Sequence, residues 1–230
     1  MTEPIKVDVW SDVVCPWCYI GKRRLEAGAT AFAERCPDAR PVDVEFHSFE
    51  LSPDIPMDFD GTSVDFLVLH KRISEARVRE MHERVSDIAA SVGLDYDFDA
   101  VRPTNTLKAH QLLHLAKARG AQPEMKERLL SAHFVEGRHV GRDEELAELA
   151  HQVGLDREEV LRSLKSEDFL PAVRADQRLA AELGIRGVPF FVVDGKYAIS
   201  GAQGSEVFAE ALERAQEVEK PAARLYTAPE

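Results

Sequence analysis

Cysteine is scarce in this chain. Three in 230 residues are too few, and too odd in number, for the disulfide framework that staples small secreted domains. Long apolar runs are missing too. No stretch approaches the roughly 18 apolar residues of a membrane span, and the opening Met1-Thr2-Glu3-Pro4-Ile5-Lys6 lacks the basic-then-apolar pattern of a signal peptide. Positive charge is outnumbered, with 29 Lys and Arg against 41 Asp and Glu for a net charge of -12. That balance argues against nucleic acid, whose phosphates are bound by clustered Lys and Arg. No internal repeat or low-complexity tract interrupts the chain. These absences predict a soluble cytoplasmic protein without membrane or nucleic-acid partners. Apolar content of 44% and charged content of 30% fit a globular chain, and the length allows one to two ordinary domains.

Two of the three cysteines stand close together, in Cys15-Pro16-Trp17-Cys18. The alternating run from Ile5 to Trp10 before them reads as a strand, and Tyr19 to about Glu34 reads as a helix. Cys15 then falls at a helix N-terminus, where unpaired amides and the positive end of the helix dipole favour a thiolate. The expectation is a Cys15 more acidic than a free cysteine, since such motifs bring the thiol pKa to roughly 3.5–7.5. Cys15 is the candidate nucleophile and Cys18, one turn into the helix, the resolving thiol.

Other uses of the pair fit the sequence less well. Structural zinc needs two further ligands, usually a second pair at similar spacing, and none is present. His110 and His114 are one helical turn apart, but Gln111 stands where a metalloprotease-like motif needs its carboxylate base. They read as packing or surface residues, and no metal site is expected. A non-catalytic protein with two merely buried thiols is a further alternative, because cysteine is among the most buried residue types. Cys36, alone beside Pro37, reads as a packed, inert thiol. The basic run Lys22-Arg23-Arg24 reads either as positive potential near Cys15 or as a solvated helix face.

A second signature lies downstream in Gly187-Val188-Pro189-Phe190-Phe191-Val192-Val193-Asp194-Gly195-Lys196. The apolar run has strand length and ends in Asp-Gly, a strong two-residue hairpin signal, with Tyr197 to Ser200 as the return strand. Pro189 cannot donate to a ladder and belongs where a strand opens. A cis bond to Val188 and an ordinary trans proline both fit there.

Between the signatures, Val42 to Phe46 alternates as a second strand, continuing through Phe49 and Leu51, and 52–61 reads as a loop. Helical periodicity dominates from about Thr62 to Leu183. One helix carries Val78, Met81, Val85, Ile88 and Val92 and stops at Gly93. Leu107 to Ala118, Glu124 to Val135 and Asp143 to Val153 follow. Asp156 starts another as an N-cap, and Phe169 to Leu183 ends at Gly184. A last helix covers about Gly204 to Glu217, and 220–230 reads as a tail.

Three motifs together carry a family likeness. They are Val9-Trp10-Ser11-Asp12-Val13-Val14-Cys15-Pro16-Trp17-Cys18-Tyr19-Ile20-Gly21-Lys22, Asn105-Thr106-Leu107-Lys108-Ala109-His110, and Gly184-Ile185-Arg186-Gly187-Val188-Pro189-Phe190-Phe191. The chain resembles DsbA-like dithiol oxidoreductases of the thioredoxin-fold superfamily, FrnE-type branch. The resemblance implies an α/β thioredoxin fold with a large all-helical insertion between an N-terminal β-α-β and a C-terminal β-β-α half. Residues 1–55 and 185–219 would form the thioredoxin-like domain, 56–184 the inserted helical subdomain and 220–230 a C-terminal tail. It implies thiol–disulfide exchange through a mixed disulfide, with protein or peptide thiols and disulfides as partners and no cofactor beyond the redox-active disulfide, save glutathione as a reductant or co-substrate.

In relatives of this kind a cis-proline loop lies against the two cysteines. Carried over, Val188 would pair with an extended substrate through its main chain, Pro189 would keep that surface open, and Pro16 and Trp17 would contact the partner. The resemblance leaves the Asn105–His110 motif without a physical role. It extends to kappa-class glutathione transferases and 2-hydroxychromene-2-carboxylate isomerases, which usually have Ser where this chain has Cys15. A glutathione-dependent isomerase or transferase is therefore the alternative, and the paired thiols depart from it.

Overall fold

The computed structural model describes residues 3–218; the tail expected over 220–230 lies outside them. Four strands form one mixed sheet: β1 (Ile5–Ser11), β2 (Val42–Ser48), β3 (Phe190–Val193) and β4 (Tyr197–Ser200), in the order β2-β1-β3-β4. β1 runs parallel to β2 in the register Ile5↔Val42 to Ser11↔Ser48 and antiparallel to β3. A parallel pair needs a crossover, and α1 (Pro16–Arg35) supplies it.

The period-2 alternation of β1 decides what covers each face. Ile5, Val7 and Val9 are buried with Leu25 and Phe32 of α1, Phe191 of β3, and Phe208 and Leu212 of α9 (Ser205–Val218). α1 and α9 meet closely at Gly28, where a Cβ would lie 2.6 Å from Phe208 Cβ and 2.7 Å from the Ser205 carbonyl oxygen. On the opposite face Trp10 stacks on His47 with ring centroids 4.6 Å apart, and its indole N–H donates to the Asp176 carbonyl at 3.3 Å.

Seven helices stand between β2 and β3: α2 (Ser63–Lys71), α3 (Glu75–Ala90), α4 (Leu107–Ala118), α5 (Gln122–Phe134), α6 (Asp143–Gln152), α7 (Arg157–Ser166) and α8 (Leu170–Glu182). Their starts follow capping chemistry. Thr62 and Asp65 form a capping box on α2, Ser74 accepts from Arg77 N on α3, and Asp156 accepts from Glu159 N at 2.7 Å on α7. Helices α4 to α7 share an apolar core that includes Leu112, Met125, Leu129, Leu146 and Val160. Gln122 seals the edge strand β2: its side-chain amide donates to Phe46 O at 2.9 Å and accepts from Phe46 N at 3.0 Å. A side chain thus satisfies main-chain groups that another strand would otherwise pair.

Several boundaries differ from the sequence reading, among them the three below. β2 stops at Ser48 rather than running to Leu51, because Ser48 N and Leu51 N donate to Asp176 Oδ2 and Asp12 Oδ2, at 2.7 and 2.8 Å. α1 begins at Pro16 rather than Tyr19, since proline suits the first helical position, where its missing N–H has no partner to lose. Three residues rather than two separate β3 from β4, with Asp194 and Gly195 both at positive φ, 52° and 66°. The architecture is a thioredoxin-like α/β fold with helices inserted between its β-α-β and β-β-α halves.

Candidate active site

Cys15 is the N-cap residue of α1, with φ -96° and ψ 112°, and Cys18 N donates to its carbonyl at 3.0 Å. Both sulfurs are free thiols and both residues are buried. The chain brings Val188 to them from the far end of the fold: the Cys15 thiol reaches the Val188 carbonyl oxygen at 3.6 Å. The Val188–Pro189 bond is cis, and Pro189 packs on α1 at Gly21, where a Cβ would sit 3.0 Å from Pro189 Cγ. Tyr96 O–H fixes the motif from the insertion, donating to Pro16 O at 2.8 Å. Trp17 is 38% exposed. Cys15, Pro16, Trp17 and Val188 all line one cavity of about 370 Å³, with Phe66, Met81, Phe98 and Phe134 among its apolar walls. Pro189 is not part of that wall.

The ground beneath the thiols is charged and dry. Asp12 is fully buried and accepts from Val13 N at 2.7 Å, Leu51 N at 2.8 Å and His110 Nε2 at 3.3 Å. Burial would raise its pKa, but His110, the Leu51 amide and the Lys126 charge hold the carboxyl below its ordinary range. Lys126 of α5 is 1% exposed and lies over the Phe46 ring, 5.6 Å from its centroid.

The surroundings act differently on the two thiols. Burial opposes ionisation, but a hydrogen bond from Cys15, the Lys126 charge and the Ser11 hydroxyl bring Cys18 below the usual thiol range. Cys15 is pushed up by the hydrogen bond it gives to Cys18, by burial and by repulsion from the neighbouring sulfur. The sequence expectation of an acidic Cys15 meets a tightly coupled pair: the two sulfurs share a hydrogen bond and titrate together. The helix dipole acts on both sulfurs, whereas Lys126 and Ser11 act on Cys18.

The basic run is neither a solvated face nor a source of open positive potential. Lys22 is buried and donates to Glu127 and Glu26 at 2.6 and 2.5 Å, and Arg23 donates to Glu127 at 2.5 Å. Tyr19 O–H donates to the same Glu127 at 2.6 Å. These bonds clamp α1 to α5, while Arg24 donates to the Ala202 carbonyl. Cys36 is the C-cap residue of α1, half-buried against the α1/α9 core.

The Asn105–His110 motif acquires a physical role. Asn105 Oδ1 accepts from Leu107 N at 2.9 Å, opening α4, and its amide donates to Pro53 O at 2.8 Å, anchoring the loop after β2. Thr106 makes no side-chain cap. His110 carries the other end of the motif to Asp12, three residues before Cys15.

Sequence reasoning missed a polar cluster on the sheet's second face. His47 donates to Asp176 Oδ1 at 3.0 Å and Asp8 Oδ1 at 2.8 Å, and His114 lies 3.0 Å from Asp176 Oδ2. Burial works against the charged ring, but the two carboxylates push His47 up to about 9. His114 is thus a network member and His110 a buried one. Asp8, Glu45 and His47 place ligand-type atoms within 4.8 Å of one another, yet Lys6 and Lys117 already neutralise Glu45 and a protonated His47 has no lone pair for a metal. Lys126 did leave a signal, as a charge on the apolar face of α5 shared with Met125, Leu129 and Leu130.

A thioredoxin-like sheet, two thiols at a helix start and a cis-proline turn facing them define a thioredoxin-superfamily protein. The chain matches the DSBA-like thioredoxin domain over residues 6–213 and belongs to that family. A probable DsbA oxidoreductase from Streptomyces coelicolor superposes with a TM-score of 0.85 at 39% identity, over 94% of this chain and 92% of that one. The uncharacterized protein YwbO of Bacillus subtilis is 27% identical over 90% of this chain and 96% of its own length. The cytosolic disulfide reductase DsbM from Pseudomonas aeruginosa, solved with GSH, shares the fold at a TM-score of 0.62 and 20% identity, over 92% of this chain and 99% of that one. Membership makes this chain an enzyme of the thiol oxidoreductase kind. None of its described helices is long and apolar enough to cross a membrane.

Proposed function

We propose that this protein exchanges disulfides with protein or small-molecule thiols through Cys15 and Cys18. The observation that carries the reading is Cys15, at the wall of an open apolar cavity and against the Val188 main chain, with Cys18 one turn behind it. Val188 precedes β3 and belongs to no strand ladder, so its main chain is the edge on which an extended substrate would pair. Trp17, the exposed member of the motif, would cover the partner.

The chemistry follows from two coupled thiols side by side. When a substrate disulfide enters, Cys15 attacks one sulfur and passes its proton to Cys18. A Cys15–substrate bond forms, and the other substrate sulfur leaves with the electron pair. Cys18 then gives up that proton and attacks Cys15, forming the Cys15–Cys18 bond and releasing the second substrate thiol. The substrate is reduced by two electrons and the enzyme oxidised by two. The reverse sequence oxidises substrate thiols. Pro189 offers no N–H or ligating group to compete for the thiolate. Glutathione is a candidate small thiol, as the GSH in the DsbM structure suggests.

A Cys18→Ser variant tests the mechanism, because it should accumulate a covalent adduct at Cys15 with a peptide disulfide. Absence of any adduct while the wild type turns over the same substrate removes the proposal. A glutathione-dependent isomerase assay on Cys15→Ser separates the alternative, for which activity would survive the substitution.

A further inference from the structure

A second concavity adjoins the cavity beside Cys15. It is a groove of about 670 Å³ between α3 and the chain that follows it, and His82 and Phe98 line both spaces. The two rings stack with centroids 4.2 Å apart and planes 6° from parallel, forming the wall that the spaces share. Tyr96, another groove residue, donates to Pro16 O at 2.8 Å, so the groove also reaches the cysteine motif. Its lining is acidic. Glu83 and Asp87 of α3 and Asp95, Asp97 and Asp99 of the following loop are all exposed, and no Lys or Arg among the described residues lies within ion-pair distance of them. Arg79 also lines the groove, but Glu75 holds its guanidinium at 2.8 Å. Burial keeps His82 below its ordinary range, so it adds no positive charge. Other carboxylates near the motif do have cations, as Glu26 and Glu127 have Lys22 and Arg23.

We propose that this groove is a docking surface for a protein substrate of the dithiol, and that the substrate is an extended segment carrying Lys or Arg close to its reactive cysteine. The inference rests on the dithiol reading and names the class of substrate that reading leaves open. Three parts of the surface take three parts of one chain. The Val188 main chain pairs with the substrate backbone, the apolar cavity takes the side chain next to the cysteine, and the groove takes the basic residues beyond it. Only one stack of two rings separates cavity from groove, and an extended chain advances about 3.3 Å per residue. The charge therefore falls within a few residues of the sulfur. Unpaired carboxylates this close together repel one another, and a cationic segment relieves that repulsion. A cleft lined by one sign of charge also raises the arrival rate of opposite charge, by about 10–10³-fold at low salt.

Two peptides with the same apolar residue beside a cysteine, one bearing three lysines and the other three glutamates, test this, each cysteine being carried as a pyridyl disulfide. Cys15 attacks the peptide sulfur, and the pyridinethiol leaves with the electron pair, takes up the Cys15 proton and reports the step by its absorbance. After division by each peptide's rate with dithiothreitol, the reduced protein should react about tenfold faster with the lysine peptide. That preference should collapse at about 1 M salt, where the screening length is about 3 Å. The triple variant Glu83→Gln, Asp87→Asn, Asp95→Asn should lose most of it. The triple variant Glu124→Gln, Glu182→Gln, Glu210→Gln changes the net charge equally at exposed positions outside both spaces, and it should keep the preference. No preference in the wild type, or the same loss in both variants, overturns the proposal. If neither peptide reacts at all, the proposed function falls and the groove's role with it; if both react and the groove variant keeps the wild-type preference, only the groove's role falls.

Discussion

The Cys15 thiol lies 3.6 Å from the carbonyl oxygen of Val188, a residue 173 positions later in the chain. α1 carries the thiol, β3 places the turn, and the contact of Gly21 with Pro189 lets the two come together.

Gly21→Ala should weaken the approach. The new Cβ would lie 3.0 Å from Pro189 Cγ and 3.1 Å from Phe191 Cζ, and overpacking of this kind costs about 1–3 kcal/mol. Alanine's better helix propensity returns up to about 1 kcal/mol, leaving a net loss near 1 kcal/mol in a urea titration. The sharper readout is chemical. Displacing the turn from Cys15 should slow adduct formation with an aromatic disulfide several-fold, and an unaltered rate would show that the turn does not govern the thiol.

Gly28→Ala should be worse for stability and neutral for the thiols. Its Cβ would meet the Ser205 carbonyl oxygen at 2.7 Å and Phe208 Cβ at 2.6 Å, and a backbone oxygen has no rotamer to escape into. The loss should exceed that of Gly21→Ala, at about 2–3 kcal/mol, while thiol titration per folded molecule stays that of the wild type. Equal urea midpoints for the two variants would refute the ranking.

Stability should fall at alkaline pH through His47. Its folded pKa is raised to about 9 from an ordinary 6.5 by Asp176 and Asp8, against burial. A raised pKa means the contribution is complete below about pH 6.5 and is lost as pH climbs through 9. The shift, 9 minus 6.5, corresponds to about 3 kcal/mol as an upper bound. Asp176, held low against burial by its bonds from His114, His47 and Ser48 N, acts with the opposite sign and loses its share as pH drops below the carboxylate range. Urea unfolding of His47→Gln between pH 6 and 10 should show a weaker decline than the wild type. A parallel decline would mean that another group sets the alkaline limit.

Asn105→Ala should loosen the loop after β2. Two bonds disappear, to Leu107 N and Pro53 O, and loss of a helix-start acceptor alone costs about 0.5–2 kcal/mol. A drop of about 1–2 kcal/mol is expected, with faster amide exchange across 52–61. Exchange unchanged in that loop would show that Asn105 serves only α4.

The two signature regions were legible because their information is local. Two thiols at fixed spacing, a proline at a strand opening and an alternating strand each declare themselves within ten residues. The helices between them were equally legible, by apolar period and by caps such as Asp156 and Gly93. Boundaries slipped where a distant side chain competed for the backbone, as Asp12 and Asp176 do at the end of β2. The coupling of Cys15 to its surroundings was hidden for the same reason: helix position can be read from sequence, but the Lys126 charge that acts on Cys18 arrives from more than a hundred residues away.

The order of residues alone determined the paired thiols, the strand and helix types and the family, since hydrophobic period and motif spacing are properties of neighbours along the chain. Only the tertiary structure decided which groups surround the two sulfurs, what the Asn105–His110 segment anchors and which face gathers His47, His114, Asp8 and Asp176. Electrostatic energy depends on distance through space and on the exclusion of water, and neither is written in the order of the residues.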